Sequence, residues 1–214
     1  MRKWLGYFFI IVGGLLVVSS LYLIYKHEFA IAQSLQEVES SLFPSTSMSE
    51  ATYLRNTDKT KNDESQKIQH QAELRRQFSP EEGDAIGLLH IPKIKAKLPI
   101  IEGTDEEMLA KGVGHYSTTV FPGDGEQILL SGHRDTVFRK IGELENGDRF
   151  IVELSYGKFE YEIKKSEIVK ADDTTVIRSM GEEVLTLSTC YPFNFIGHAP
   201  DRYIIYAYPV FSET

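Results

Sequence analysis

Apolar and polar positions divide the chain into three stretches of different texture. Trp4 to Tyr25 carries no charged residue. As a helix rising about 1.5 Å per residue it is roughly 33 Å long, close to the ~30 Å hydrocarbon core of a bilayer. Trp4, Tyr7, Tyr22 and Tyr25 stand near its two ends, where amphipathic rings favour the membrane interface. Arg2 and Lys3 precede it, and basic flanks stay cytoplasmic. The pattern predicts a transmembrane anchor over residues 1–25, crossing once, with everything after Lys26 outside the cell membrane. Ala30-Ile31-Ala32 offers a rival reading as a cleaved signal peptide, but the apolar run exceeds the usual signal-peptide core of about 7–15 residues. Both readings export the remainder.

Residues 26–80 read as a stalk. Leu35, Val38 and Leu42 recur at helical spacing, so a short amphipathic helix is expected to continue from the anchor. Pro44 to Ser65 is rich in Ser, Thr, Asn, Asp and Lys and reads as a polar linker. Ile68, Ala72, Leu74 and Phe78 fit another short helix before Pro80. Fully extended, such a tether reaches on the order of 180 Å.

Residues 81–214 change to short β-like runs rich in Val, Ile, Leu, Tyr and Phe. Strands are expected near Ala85–Ile91, Ala96–Ile101, Ser117–Val120, Gln127–Gly132, Arg149–Leu154, Lys158–Val169, Val184–Thr189 and Arg202–Tyr208. Pro122-Gly123-Asp124-Gly125 and Glu145-Asn146-Gly147-Asp148 are explicit turn sequences. Asp105 to Lys111 reads as a helix with Thr104 as its N-cap. The fold class is therefore mostly β, and a closed or nearly closed antiparallel-rich barrel fits the strand count.

Charge removes one class of function. Leaving out Arg2 and Lys3, 21 of the 23 Lys and Arg face all 31 Asp and Glu, which gives no footprint for nucleic acid. No Gly-rich phosphate loop follows a strand into a helix. The chain holds a single cysteine, Cys190, so an exported domain of this sequence makes no internal disulfide. Its thiol is buried and inert, pairs with another chain, or reacts.

Three segments carry candidate chemistry. Leu129-Leu130-Ser131-Gly132-His133-Arg134-Asp135-Thr136 places an imidazole at a strand terminus. In Leu185-Thr186-Leu187-Ser188-Thr189-Cys190 the leucines share one strand face, and Thr186, Ser188 and Cys190 share the other. The leucines are the natural core face, so Cys190 points away from the core. Asp201-Arg202-Tyr203 opens the last strand. Singly, each has a plain reading: a turn histidine, a buried thiol, an arginine paired with Asp201. Jointly they suit acyl transfer. A cation favours the thiolate, an imidazole protonates a leaving amine, and a guanidinium offers a fixed fork of donors to an oxyanion.

With these residues in this order the chain resembles the sortases. Thr186-Leu187-Ser188-Thr189-Cys190 matches the family's TLxTC signature, Gly132-His133 its histidine strand, and Arg202 its arginine. The resemblance covers about residues 83–214. It implies an eight-stranded barrel, catalysis by His133, Cys190 and Arg202, and cleavage of an LPxTG-like sorting signal through a thioacyl intermediate on Cys190. It also implies transfer to an amine of a cell-wall peptidoglycan precursor or a pilin. The family suggests that Thr189 helps the oxyanion or the substrate backbone, and Ser188 and Ser131 are further candidates for substrate binding. The Gly132-to-Thr136 run, the anchor and the acidic balance look most like class D sortases of Gram-positive bacteria. No second hydrophobic segment follows Tyr208 and no Asp-Pro-aromatic lid motif precedes the barrel, unlike the pilin-polymerising class C type.

Other residues are weaker candidates. Asp135 is a candidate to orient His133, and His115 and His198 are read as loop histidines; His198, between Cys190 and Arg202, is a candidate to border the groove but reads rather as a surface histidine. Some sortases bind calcium through acidic loops. Glu102, Asp105, Asp172 and Asp173 are of that type, but they read as solvated charge, so no metal and no cofactor is expected. Two rival functions share parts of the pattern: an anchored cysteine protease with water as acceptor, and a non-catalytic β-barrel adhesion module.

Overall fold

The computed structural model describes residues 2–42, 60–194, 197 and 199–210. Two helices precede the β domain: α1 over Arg2–Leu42 and α2 over Thr60–Gln77. The predicted linker lies outside the described residues over 44–59, and Thr60 to Ser65 form the first turns of α2. Among the described residues no helix is long and apolar enough to cross a membrane. The helical spacing at Leu35, Val38 and Leu42 does continue α1, and its purpose is tertiary. Val38 is 1% exposed, and Ile31 packs on the barrel core. Leu74 and Phe78, at the end of α2, pack on the same core. Arg75 adds an ion pair to Asp124 and lies 5.1 Å from the centroid of the Phe121 ring. The second half of the predicted stalk is thus laid against the barrel.

Eight strands follow: β1 Ala85–Ile91, β2 Ala96–Glu102, β3 Val113–His115, β4 Gln127–Ser131, β5 Arg149–Leu154, β6 Gly157–Lys170, β7 Val184–Tyr191 and β8 Asp201–Pro209. They close into a barrel in the order β1-β2-β3-β4-β7-β8-β6-β5. The β2–β3 and β4–β7 pairs are parallel, and the other six are antiparallel. Closure leaves no free edge for another chain to pair with. Alternate residues of each strand point inward, and Leu89, Ile100, Ile128, Leu130, Phe150, Val152, Tyr161, Leu185, Leu187 and Ile205 fill the interior. Burying each such side chain stabilises the fold by about 1.5–3 kcal/mol.

Two expectations fail. No strand forms at Ser117–Val120. Thr119 N instead donates to Tyr116 O at 2.8 Å, closing a turn, and the Thr119 hydroxyl accepts from Leu129 N at 3.1 Å. The third strand is Val113-Gly114-His115, all three residues buried. Gly114 is required there, because a Cβ would sit 2.4 Å from the Gly103 carbonyl oxygen. The helix expected over Asp105–Lys111 is the single turn α3, Glu106–Leu109, and its N-cap is Asp105, without a side-chain capping bond. The Thr104 methyl group lies against Gly114, and Thr104 lines the groove described below.

The connection from β6 to β7 folds over the outer face of the barrel. Gln127 and Glu126 pin it. Gln127 Nε2 donates to Val176 O at 2.8 Å, and Gln127 Oε1 accepts from Arg178 N at 3.1 Å. The Glu126 carboxylate accepts from Met180 N, Gly181 N and the Ser179 hydroxyl at 2.8–2.9 Å. These donors favour the charged form and hold the Glu126 carboxyl below the usual range, the Met180 amide contributing most. Val176, Val184, Ile204 and Tyr206 form a second small core beneath this connection.

Candidate active site

Strand parity assembles the site. In β4, Ile128 and Leu130 point into the barrel, so Leu129 and Ser131 point out. In β7, Leu185 and Leu187 point in, so Thr186, Ser188 and Cys190 point out. In β8, Tyr203, Ile205 and Ala207 point in, so Arg202, Ile204 and Tyr206 point out. These three strands are neighbours, and the register aligns their outer residues. Ser131 lies opposite Ser188, and Cys190 opposite Arg202, with Val169 of β6 on the far side of Arg202. Side chains of directly opposed residues stand about 4.5–5.5 Å apart at Cβ, so the thiol and the guanidinium stem are adjacent by construction.

A groove of about 350 Å³ runs over this outer face. His133, Cys190, Arg202, Thr189, Ser188 and Ser131 all line it. The β6–β7 connection walls one side through Asp173, Val176 and Ile177, and Thr104 and Leu109 flank the other. The groove thus gathers every residue that the sequence nominated for catalysis or substrate contact. Thr186 shares the outward face of Cys190 but is covered, its hydroxyl accepting from Gln127 Nε2 at 3.1 Å.

His133 follows β4 and is held by its neighbours. Gly132 N donates to Ser188 O at 3.1 Å, and the Thr189 hydroxyl donates to Gly132 O at 2.7 Å. These two bonds tie the residue before His133 to the two residues before Cys190. Thr189 is buried, so its visible role is to lock the histidine turn to β7. Gly132 has no room for a side chain, since a Cβ would lie 2.6 Å from the Phe138 ring. The Gly-His sequence is therefore a packing requirement as well as a signature. Cys190 is partly exposed and is the sole cysteine. Arg202 Nη1 donates to Asp201 O at 3.0 Å and Ala199 O at 3.4 Å. The Asp201 carboxylate pairs with Lys170 at 2.9 Å, so the reading of Arg202 as its partner is set aside.

Several lesser expectations change. Asp135 does not touch His133; its carboxylate is exposed and lies 3.3 Å from Arg134 Nε. The side chain at ion-pair distance from His133 is Glu106, with Oε1 3.5 Å from Nε2. His115 is no loop residue. It ends β3 fully buried, its Nδ1 2.7 Å from Glu102 Oε2, its Nε2 3.1 Å from Val120 O, and its ring stacked on Phe121. Glu102, read as solvated charge, is the buried partner in that pair. The Asp173 carboxylate accepts from Thr175 N and Oγ1, which hold it in its charged form. His198 lies outside the described residues. Among the described residues no group of three or more His, Cys, Asp or Glu side chains is placed to hold a metal ion.

Arg134 stands in the sequence only as part of the histidine run, and its buried position is unexpected. Its side chain is 7% exposed. Nη1 donates to Pro192 O at 2.9 Å and Nη2 to Gly197 O at 3.0 Å. The guanidinium fork thereby binds the β7–β8 connection, the segment that joins Cys190 to Arg202. Phe193 of that connection packs on Gly142, where a Cβ would lie 2.5 Å from its ring. An arginine beside a catalytic-type histidine invites a substrate role, and only the folded chain shows it turned inward.

Residues 89–210 match the family model described as the sortase domain. The chain is 58% identical over 137 residues to sortase D of Bacillus subtilis, covering 64% of this chain and 69% of that protein. In structure it is similar to a Clostridium perfringens sortase D5 transpeptidase, with a TM-score of 0.59 and 28% identity over 70% of this chain and 95% of the other. It is also similar to the catalytic domain of B. anthracis SrtD, with a TM-score of 0.55 and 46% identity over 63% of this chain and 92% of the other.

Proposed function

Because the chain belongs to the sortase family of cysteine transpeptidases, we propose that Cys190 is its nucleophile, His133 its acid and base, and Arg202 its oxyanion stabiliser. The observation that carries this reading is the placement of the lone cysteine on the outer barrel face, in register with Arg202 and in one groove with His133. The Cys190 thiolate attacks the scissile carbonyl of an extended peptide lying in the groove. Negative charge develops on the carbonyl oxygen, and the Arg202 fork, released from Ala199 and Asp201 carbonyls, donates to it. The carbon–nitrogen bond breaks as His133 gives its proton to the leaving amine, and a thioacyl enzyme remains. An incoming amine then attacks, its proton passes to His133, and Cys190 leaves as thiolate.

The substrate is an LPxTG-like sorting signal, and the acceptor is an amine of a peptidoglycan precursor. The apolar wall of Leu129, Val176, Ile177 and Ile204 suits the apolar part of such a signal. Residues 4–25 serve as the membrane anchor in this reading. α1 is continuous through them, and Tyr7, Ile10, Ile11, Leu15, Leu16, Val17, Val18, Leu21 and Tyr22 are exposed on it, a surface that lipid would cover. Release of the protein from membranes by salt or carbonate wash would remove the anchor from the reading.

The central test is Cys190→Ala in a peptide library supplied with an amine. Loss of both cleavage and amine transfer by a folded variant is expected, and turnover retained by that variant would remove Cys190 as nucleophile. Amine adducts among the wild-type products separate transfer from simple hydrolysis.

A further inference from the structure

An exposed carboxylate stands beside His133 at the edge of the groove. Glu106 stands in the first turn of α3, between Thr104 and Leu109, both of which line the groove. Its Oε1 lies 3.5 Å from His133 Nε2, and its side chain is 88% exposed. Two of the nearby carboxylates are occupied. Glu107 pairs with Lys111 at 3.1 Å, and Asp173 on the opposite wall accepts two bonds from Thr175. Among the described residues His133 is the one ion-pair partner of Glu106. That partner gives its proton away in the first half of the reaction, so the acyl-enzyme presents Glu106 beside a neutral imidazole.

We propose that the Glu106 carboxylate binds the ammonium group of the incoming amine acceptor at the moment the thioacyl enzyme waits for its second substrate. The inference rests on the transpeptidase reading and adds to it the acceptor's point of recognition. The leaving amine and the attacking amine occupy equivalent positions, because attack is the reverse of departure. Both must therefore lie within reach of His133. A primary amine arrives at neutral pH as a cation. Glu106 concentrates that cation next to the base. The ammonium then releases one proton to solvent. As the carbon–nitrogen bond forms and the carbon–sulfur bond breaks, the second proton passes to His133 and the electron pair leaves on Cys190. An acceptor without positive charge gains nothing from this carboxylate.

The test compares two nucleophiles on the full-length protein in detergent, with one cleavable sorting peptide as donor. A lysine derivative blocked at its α-groups supplies a cationic amine, and hydroxylamine supplies a nucleophile largely uncharged at neutral pH. The quantity read is the ratio of kcat/KM for the cationic amine to that for hydroxylamine. In Glu106→Gln this ratio should fall by up to about fivefold, the scale of an exposed ion pair, and added salt should lower the wild-type ratio in the same direction. Glu106→Lys should lower it further. An equal fall for both nucleophiles would place Glu106 on His133 rather than on the acceptor, and an unchanged ratio would remove it from acceptor binding; either overturns the proposal. A wild type that cleaves the peptide and transfers it to neither nucleophile overturns the transpeptidase reading itself.

Discussion

Replacing Arg134 with methionine tests whether the site depends on a side chain that never faces the substrate. The long apolar side chain keeps most of the volume and removes the guanidinium. Two charged hydrogen bonds to backbone carbonyls are lost, at 2.9 Å to Pro192 O and 3.0 Å to Gly197 O. Such bonds are worth about 1.5–3 kcal/mol each, so these two together contribute about 3–6 kcal/mol. The contact to Asp135 adds little, because that carboxylate is 72% exposed and exposed pairs contribute about 0–1 kcal/mol. Gly197 is exposed and Pro192 half-buried, so water reaches the freed carbonyls and the cost falls to about 3 kcal/mol. For a domain of this size that corresponds to a drop of about 10 °C in melting temperature. Pro192 follows Cys190 by two residues, and a displacement of about 1 Å at the thiol costs about a hundredfold in rate. Thermal unfolding followed by circular dichroism, and kcat/KM for peptide cleavage well below the new midpoint, measure the two effects separately. Arg134→Lys keeps the charge but not the fork, and should fall between wild type and Arg134→Met. A methionine variant that melts within about 2 °C of wild type and cleaves within twofold would refute the reasoning.

Two further outcomes follow from the site and its roof. Arg202→Lys should lower kcat/KM by roughly a hundredfold or more, because a point charge on a flexible stem does not reproduce directed donation to an oxyanion; a lysine variant within a few-fold of wild type across pH would sink that role. Glu126 has a folded pKa below its unfolded value, so its stabilisation is present above the ordinary carboxylate range and is lost as pH falls through the lowered value. The melting temperature of wild type should therefore fall more steeply on acidification than that of Glu126→Gln, and parallel curves would show that the pinned connection does not depend on that charge.

The sequence by itself determined the barrel class and seven of its eight strands, because short runs of β-branched, aromatic and leucine residues between turn sequences are local signals. It determined the outward direction of Cys190 through strand alternation: Leu185 and Leu187 occupy the inward positions of that strand. The TLxTC and Gly-His runs were legible as motifs, and Gly132, His133, Ser188, Thr189 and Cys190 from them meet in one groove. The third strand was not legible. Val113-Gly114-His115 is too short for periodicity and contains a glycine, and it is a strand only because β2 and β4 lie on either side. His115 and Glu102 looked like loop and surface charge because a single-residue reading has no access to burial. The closed barrel joins the ends of β2 and β3, and there the imidazole and the carboxyl group satisfy each other at 2.7 Å. Arg134 shows the same limit from the other side. Its place in the chain, next to His133, does not reveal its partners. Its direction was decided by carbonyls 58 and 63 residues further on, which only the folded chain brings within reach of its fork.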